Sequence, residues 1–268
     1  MDITNELTIV IPVRIDCRER KENLDTVIRF FLNVTSAKII VLEADKKQLY
    51  NYFVLTNRVQ VHFVEDTDII FHRTRYLNRL LKMSETNIVG VWDTDVILPA
   101  IQIIEAAKSI EVGYTMSYPY DGRFIFLDAQ QSEQVRQDAI LFLHECNEKG
   151  QRPVSWRPSV GGAFIVNRQR YIQLGGENEN FYGWGPEDVE RLKRMEILEE
   201  PVCRIEGQLF HLHHPRGINS NPMPGKLEKN NIRELITICQ MSKKQLAMHI
   251  NSSKWNCNII NSTTPLCP

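Results

Sequence analysis

NIVGVWDTD, residues Asn87–Asp95, decides the fold. Its first part is a short apolar run, the signature of a strand buried on both faces. Its second part, Asp93-Thr94-Asp95, sets two carboxylates directly after that strand, with apolar Val96-Ile97-Leu98 beyond. Carboxylates in such company are costly unless paired or metal-bound. Outward from this stretch, Thr8–Pro12 (TIVIP) and Lys38–Leu42 (KIIVL) repeat the apolar run, and Val59–Val64 alternates. Helical spacing marks the segments between: Leu24, Val27, Ile28 and Phe31; Leu49, Tyr50, Phe53 and Val54; Tyr76, Leu77, Leu80 and Leu81. Strands alternating with helices predict βαβ units, hence an α/β fold with a mostly parallel central sheet and helices on both faces. In such sheets ligands bind beyond the carboxyl ends of the strands. Those ends carry Pro12-Val13-Arg14-Ile15-Asp16, Glu43, Glu65-Asp66 and Asp93-Thr94-Asp95.

Downstream, Ile101, Ile104, Glu105 and Lys108 predict a short helix, and Val112–Met116 a strand. Tyr118–Gly122 contains Asp-Gly, a hairpin signal. Val135–Cys146 reads as one helix, Ala163–Val166 as a strand entered through Gly161-Gly162, and a short helix runs to Leu174. Val202–Ile205 and Gln208–Leu212 read as strands, Pro215–Gly225 as a loop, and Asn231–Ala247 as one last helix before a polar tail from Asn251.

The 268 residues, 43% hydrophobic and 24% charged, can build a core without staples. A net charge of −1 exerts no global pull toward nucleic acid or anionic lipid. No signal-peptide pattern and no bilayer-length apolar run is visible, so the expected location is cytoplasmic, with peripheral contact at the inner face of the membrane as the alternative. The six cysteines form no CxxC pair, which argues against a thiolate zinc site and for reduced thiols. The sequons at Asn33, Asn251 and Asn261 mean little in that compartment.

Phe181-Tyr182-Gly183-Trp184-Gly185-Pro186-Glu187-Asp188 crowds aromatics, glycines and a proline before two acids. Pro186 suits the first position of a helix, and Val189, Leu192 and Met195 continue it at helical spacing. Glu187 and Asp188 then fall in a first helical turn, either as simple dipole-matching caps or as functional acids at the mouth of a Gly-rich loop. His211-Leu212-His213-His214 is a second cluster. His211 and His213 would share a strand face, whereas His211 and His214 would converge if the chain turns at Pro215. Imidazoles together with the hard oxygens of Asp93 and Asp95 suit a divalent cation bridging to phosphate. Among the basic residues, Arg14 and Arg73 lie where a nucleotide would sit, while Arg18, Arg20 and Arg79 read as a solvated helix face.

TIVIPVR, FHRTRYLN, VGVWDTD, VGGAFIVNRQRYIQLGG, FYGWGPEDVE and HLHHP stand in the order seen in nucleotide-sugar glycosyltransferases of the GT-A fold. Over roughly residues 7–224 the chain resembles the β-1,4-galactosyltransferase group and its chondroitin-synthase-type N-acetylgalactosaminyltransferase relatives. The resemblance implies a single GT-A domain over residues 1–250, its nucleotide part at about 1–100 and its acceptor and catalytic part at about 101–230, followed by a tail, 251–268. It implies nucleotide contacts at Pro12, Val13, Arg14, Phe71, Arg73 and Asp93, with Val13 in place of an aromatic and His72 in place of Asn. It implies metal ligands at Asp95 and His214, and at His211, where the family has Met. Gly161 and Gly162 match a Gly-Gly beside the donor sugar, Trp184 a Trp between donor and acceptor, Glu187 a sugar-binding acid, and Asp188 the general base. The implied activity is inverting transfer of a hexose or N-acetylhexosamine from a UDP-sugar to a glycan hydroxyl, with Mn²⁺ or Mg²⁺. An acid at Asp188, where retaining relatives carry Asn, can serve as the base that inversion needs. Two alternatives stand beside it: a nucleotidyltransferase, disfavoured by the lack of a GxGxxG or GxxxxGK loop, and a non-catalytic glycan-binding module of the same fold.

Overall fold

A computed structural model describes residues 3–51, 56–147, 157–221 and 225–252. The first half runs β1 (Leu7–Val13), α1 (Arg18–Val34), β2 (Lys38–Asp45), β3 (Val59–Glu65), α2 (Arg73–Met83), β4 (Ile88–Trp92), β5 (Val96–Ile97) and α3 (Ala100–Glu111). The second half runs β6 (Met116–Tyr118), β7 (Arg123–Phe126), α4 (Ala129–Gln137), α5 (Ala139–Asn147), β8 (Ala163–Asn167), α6 (Arg168–Gln173), α7 (Glu187–Leu198), β9 (Val202–Arg204), β10 (Gln208–His211), α8 (Lys226–Cys239) and α9 (Lys243–Ser252).

Seven strands form the main sheet in the order β3-β2-β1-β4-β8-β6-β9. β1 sits centrally, parallel to both β2 and β4, and β2 is parallel to β3. β8 runs antiparallel between β4 and β6, and β9 returns to parallel against β6. The apolar runs explain this arrangement. Every residue of β1 and β4 is buried, and each such Ile, Leu or Val contributes about 1.5–3 kcal/mol by leaving water. Edge strand β3 alternates instead, as a strand covered on one face must. Pairing of β1 with β4 ends at Val10↔Val91, while Pro12 and Val13 stay paired with β2 alone, opposite Leu42 and Glu43.

A second sheet, β5-β10-β7, grows from the carboxyl end of β4. The sequence does not announce it, because β5 is only Val96–Ile97. Its register fixes the site: antiparallel β10 sets His211 opposite Val96, one residue from Asp95. The backbone of Leu212 then donates to the Asp95 carbonyl at 2.7 Å, and Asp93 to the Gly162 carbonyl at 2.9 Å.

Several expectations need correction. The strand expected over Val112–Met116 starts only at Met116, because Gly113 turns at φ +108° behind α3. Asp121-Gly122 closes no hairpin, since β6 and β7 belong to different sheets. Val135–Cys146 is two helices, broken where the Asp138 carboxylate accepts from the N–H groups of Ile140 and Leu141 at 3.0 and 2.9 Å. Asn231–Ala247 is likewise split between α8 and α9. Leu49 and Tyr50 are not helical; their N–H groups donate to the Glu43 carboxylate at 2.8 and 3.0 Å, and Phe53 and Val54 lie outside the described residues. Most of the expected tail also lies outside them. Among the described residues no helix is long and apolar enough to cross a membrane.

Candidate active site

The carboxyl ends of β1 and β4, the second sheet and the start of α7 enclose a cleft of about 810 Å³. Its lining includes every residue expected at the site: Pro12, Val13 and Arg14; Phe71 and Arg73; Asp93 and Asp95; Gly161 and Gly162; Trp184, Glu187 and Asp188; His211 and His214.

Asp95, His211 and His214 come together on the floor, each offering a ligand atom within 4.8 Å of the others. His211 Nε2 lies 3.4 Å from Asp95 Oδ1, and His214 Nε2 lies 3.2 Å from Asp95 Oδ2. The chain does turn after His211, bringing the two rings to 5.4 Å. His213 stays exposed on the other side, its N–H donating to Ser132 Oγ. The Pro215 carbonyl, 2.8 Å from His214 Nδ1, can only accept, so Nδ1 carries the proton. Burial lowers His214, but the hydrogen bond and charge of Asp95 outweigh it and raise it; in its neutral form the ring points the Nε2 lone pair at a carboxylate oxygen. Two acceptors at that distance require a proton or a cation between them. This donor set, one carboxylate and two imidazoles with the outer ring nitrogen fixed by a carbonyl, fits a divalent metal. Burial pushes Asp95 up, but His211, His214 and Arg20 together outweigh it and hold its carboxyl well below the usual carboxylate range. Burial lowers His211, which leaves its imidazole neutral and free to ligate.

Arg20 corrects a sequence reading. It is no solvated face: Nε donates to Asp16 Oδ1 at 2.6 Å, Nη1 lies 3.3 Å from Asp95 Oδ2, and Nη2 donates to Ser220 Oγ at 3.0 Å. The available signal was its place in the first turn of α1, immediately behind the end of β1.

At the end of the cleft where a nucleotide is expected, Arg14 is held by the carbonyls of Ala44 and Asp68 and by Asp66 Oδ2, at 2.7–2.9 Å. Tyr76 donates to the same Asp66 oxygen at 2.6 Å and stacks on Phe71. Asn219, on the loop after β10, accepts from the Phe71 N–H at 2.9 Å and ties the halves together. Arg73 Nη2 donates to Asp93 Oδ1 at 2.6 Å. Its Nη1 is buried without a hydrogen-bond partner, 3.9 Å from Asp188 Oδ1. Burial also pushes Asp93 up.

Glu187 and Asp188 do open α7, with Pro186 as its N-cap rather than its first residue. Glu187 is buried and its Oε2 has no hydrogen-bond partner; burial, and then the neighbouring Asp188, push it up to about 8. Asp188 accepts from Arg191 Nη1 at 2.7 Å. Buried Asn231 of α8 fastens the loop before them, donating to the Tyr182 carbonyl at 3.0 Å. At Gly185 a Cβ would meet Asn231 Nδ2 at 2.6 Å, so the close approach needs glycine. Trp184 stands half exposed at the mouth. Tyr120 donates to the Gly161 carbonyl at 2.6 Å and fixes the Gly-Gly turn.

Comparison with known proteins identifies the fold. Residues 143–215 match the family model described as the N-terminal domain of galactosyltransferase. Glucosyl-3-phosphoglycerate synthase from Mycobacterium tuberculosis, solved with Mn²⁺, UDP and phosphoglyceric acid, superposes with TM-score 0.52 at 12% identity, covering 89% of this chain and 82% of that one. A mutant of Drosophila β1,4-galactosyltransferase 7, in complex with manganese, UDP-Gal and xylobiose, gives TM-score 0.54 at 15% identity over 84% and 78%. GalNAc-T7 with UDP, GalNAc and Mn²⁺ gives 0.53 at 13% identity over 86% and 47%. The fold is that of the GT-A glycosyltransferases. Within the GT-A frame, the cleft lies at the strand ends where the rule for open α/β sheets locates ligands. The sequence reading missed two cations of the site, half-buried Arg20 and buried Arg191, since both sit among ordinary helical charges.

Proposed function

We propose that this chain is an inverting, divalent-metal-dependent glycosyltransferase. It moves a hexose or N-acetylhexosamine, galactose or N-acetylgalactosamine favoured, from a UDP-sugar to a hydroxyl of a glycan acceptor. What supports the reading most is that Asp95, His211 and His214, brought together, line the same cleft as Asp188. The GT-A neighbours solved with UDP and Mn²⁺ support the donor class.

Asp95, His211 and His214 would hold Mn²⁺, with Mg²⁺ as the alternative. Such an ion supplies charge neutralisation to a departing diphosphate. The rest falls to the protein. Pro12, Val13, Arg14, Phe71, Arg73 and Asp93 form the nucleotide end. Gly161 and Gly162 let the backbone approach the donor sugar, and Glu187 offers its unpartnered Oε2 to a sugar hydroxyl. Asp188 takes the proton of the acceptor hydroxyl as that oxygen bonds to the anomeric carbon and the bond to UDP breaks on the opposite face. Trp184 covers the sugar and excludes water that would hydrolyse the donor.

The test is UDP release from a panel of UDP-sugars with Mn²⁺ and glycan acceptors, with anomer analysis of the product. Asp188→Asn is expected to lower kcat by about 10²–10⁴-fold, the usual worth of a general base, while UDP still binds with Mn²⁺. Intact turnover in that variant, or retained anomeric configuration, refutes the mechanism.

A further inference from the structure

The buried face of α7 holds a cation against the proposed base. Arg191 is fully buried. Its Nε and Nη2 donate to Glu177 Oε1 and Oε2 at 3.0 and 2.8 Å, and its Nη1 donates to Asp188 Oδ1 at 2.7 Å. The guanidinium carbon lies 4.1 Å from the centroid of the Phe164 ring. Tyr171 completes the brace: its hydroxyl donates to Glu177 Oε1 at 2.6 Å and accepts from Arg191 Nε at 3.1 Å. A planar fork so held has no freedom to rotate, and it transmits that rigidity to the carboxylate it grips.

The two oxygens of Asp188 are consequently unlike. Oδ1 is engaged by Arg191 and lies 3.9 Å from Arg73 Nη1. Oδ2 accepts no hydrogen bond among the described residues and faces Gly161, where an added Cβ would stand 2.8 Å away.

We infer that Arg191 is a positioning residue: it clamps Oδ1 of Asp188 and leaves Oδ2 as the atom that receives the acceptor's proton. The inference rests on the reading of Asp188 as the base. It goes further by naming the atom and the group that aims it. Such aiming matters because proton transfer needs the acceptor hydroxyl and the base in near-attack geometry, and small displacements are costly.

Two variants test it. Arg191→Lys keeps a buried charge opposite Glu177, but one ammonium cannot fork to Glu177 and Asp188 together. Arg191→Met combined with Glu177→Met removes both partners, so that no orphan charge stays buried. The lysine variant is expected to lose about tenfold in kcat and the double variant about a hundredfold, with donor KM and calorimetric UDP-plus-Mn²⁺ affinity held to about twofold. Folding is checked by circular dichroism and melting temperature; the lysine variant decides the matter alone if the neutral pair does not fold. Wild-type kcat in a folded variant overturns the inference, as does a loss that appears in donor KM and UDP affinity instead of kcat. Asp188→Asn, assayed in parallel, separates the two claims. If it keeps turnover, the base assignment itself fails; if it is inactive while Arg191→Lys is fully active, only the role given to Arg191 fails.

Discussion

Gly161 carries no side chain, and the position of Asp188 depends on it. A methyl group there would come within 2.8 Å of Asp188 Oδ2, closer than real contacts allow. Gly161→Ala is therefore expected to leave the fold intact but to turn the carboxylate aside and lower kcat by about 10²-fold, the scale associated with a 1 Å misplacement. Steady-state kinetics beside a melting curve checks this. Glu187 makes a different prediction. Its carboxyl is raised from an ordinary 4.5 to about 8 by burial and by Asp188. Below 4.5 the folded and unfolded chains both hold the proton; between 4.5 and about 8 only the folded chain keeps it. The folded state then binds more protons than the unfolded one, so its stability falls as pH rises through that window and levels off above it. Urea midpoints of the metal-free protein should follow this course relative to Glu187→Gln, whose side chain does not titrate. Parallel curves for the two proteins would count against a neutral Glu187.

At the scale of elements, α7 shows where pattern reading succeeds and fails. Its start was legible from Gly-Pro-Glu-Asp, and Met195 is buried as the spacing implies. Val189, at the same helical spacing, is exposed and lines the cleft, whereas Arg191 and Arg194 have no exposed surface. Arg194 is satisfied inside by Glu190 Oε1 at 3.0 Å and by the carbonyls of Leu174 and Gly176, each at 2.5 Å. A charge with that many partners behaves as core, and hydrophobic spacing is blind to it. Removing one partner leaves the other charge buried and unpaired. Arg194→Met should destabilise the fold by about 3–5 kcal/mol in chemical denaturation, and a further Glu190→Gln should recover part of the loss. The helix breaks were legible but overlooked. Asp138 caps α5 in mid-run, and Ser242 and Gln245 exchange the hydrogen bonds of a capping box before α9.

For the whole molecule, the decisive feature is the junction of the two sheets at Asp93-Thr94-Asp95. The main sheet delivers the acids, the small sheet delivers His211, and the loop after β10 delivers His214. Ions that bind only the folded junction must stabilise it. Mn²⁺ at a hundred times its dissociation constant should add about 2.7 kcal/mol, read as a rise in melting temperature that a chelator reverses. His214→Ala should lose most of that rise without losing the fold, because its ring packs at the cleft and not in the main core. A rise of equal size in both proteins would remove His214 from the metal site.

The alternation of strands and helices, the strand ends that open onto the cleft, and the residue types available there were all determined by the sequence. Periodicity reports how each segment meets water, and that is a local property. Tertiary structure alone decided which distant groups meet. Asp95 reaches His211 through the register of β10 on a two-residue strand, and His214 through a turn. Arg20 became part of the site because Asp95, far along the chain, lies against it, and Arg191 because Glu177 and Asp188 converge on its buried guanidinium. Pairings of that kind follow from strand register and chain reversal over long separations, which no local pattern encodes.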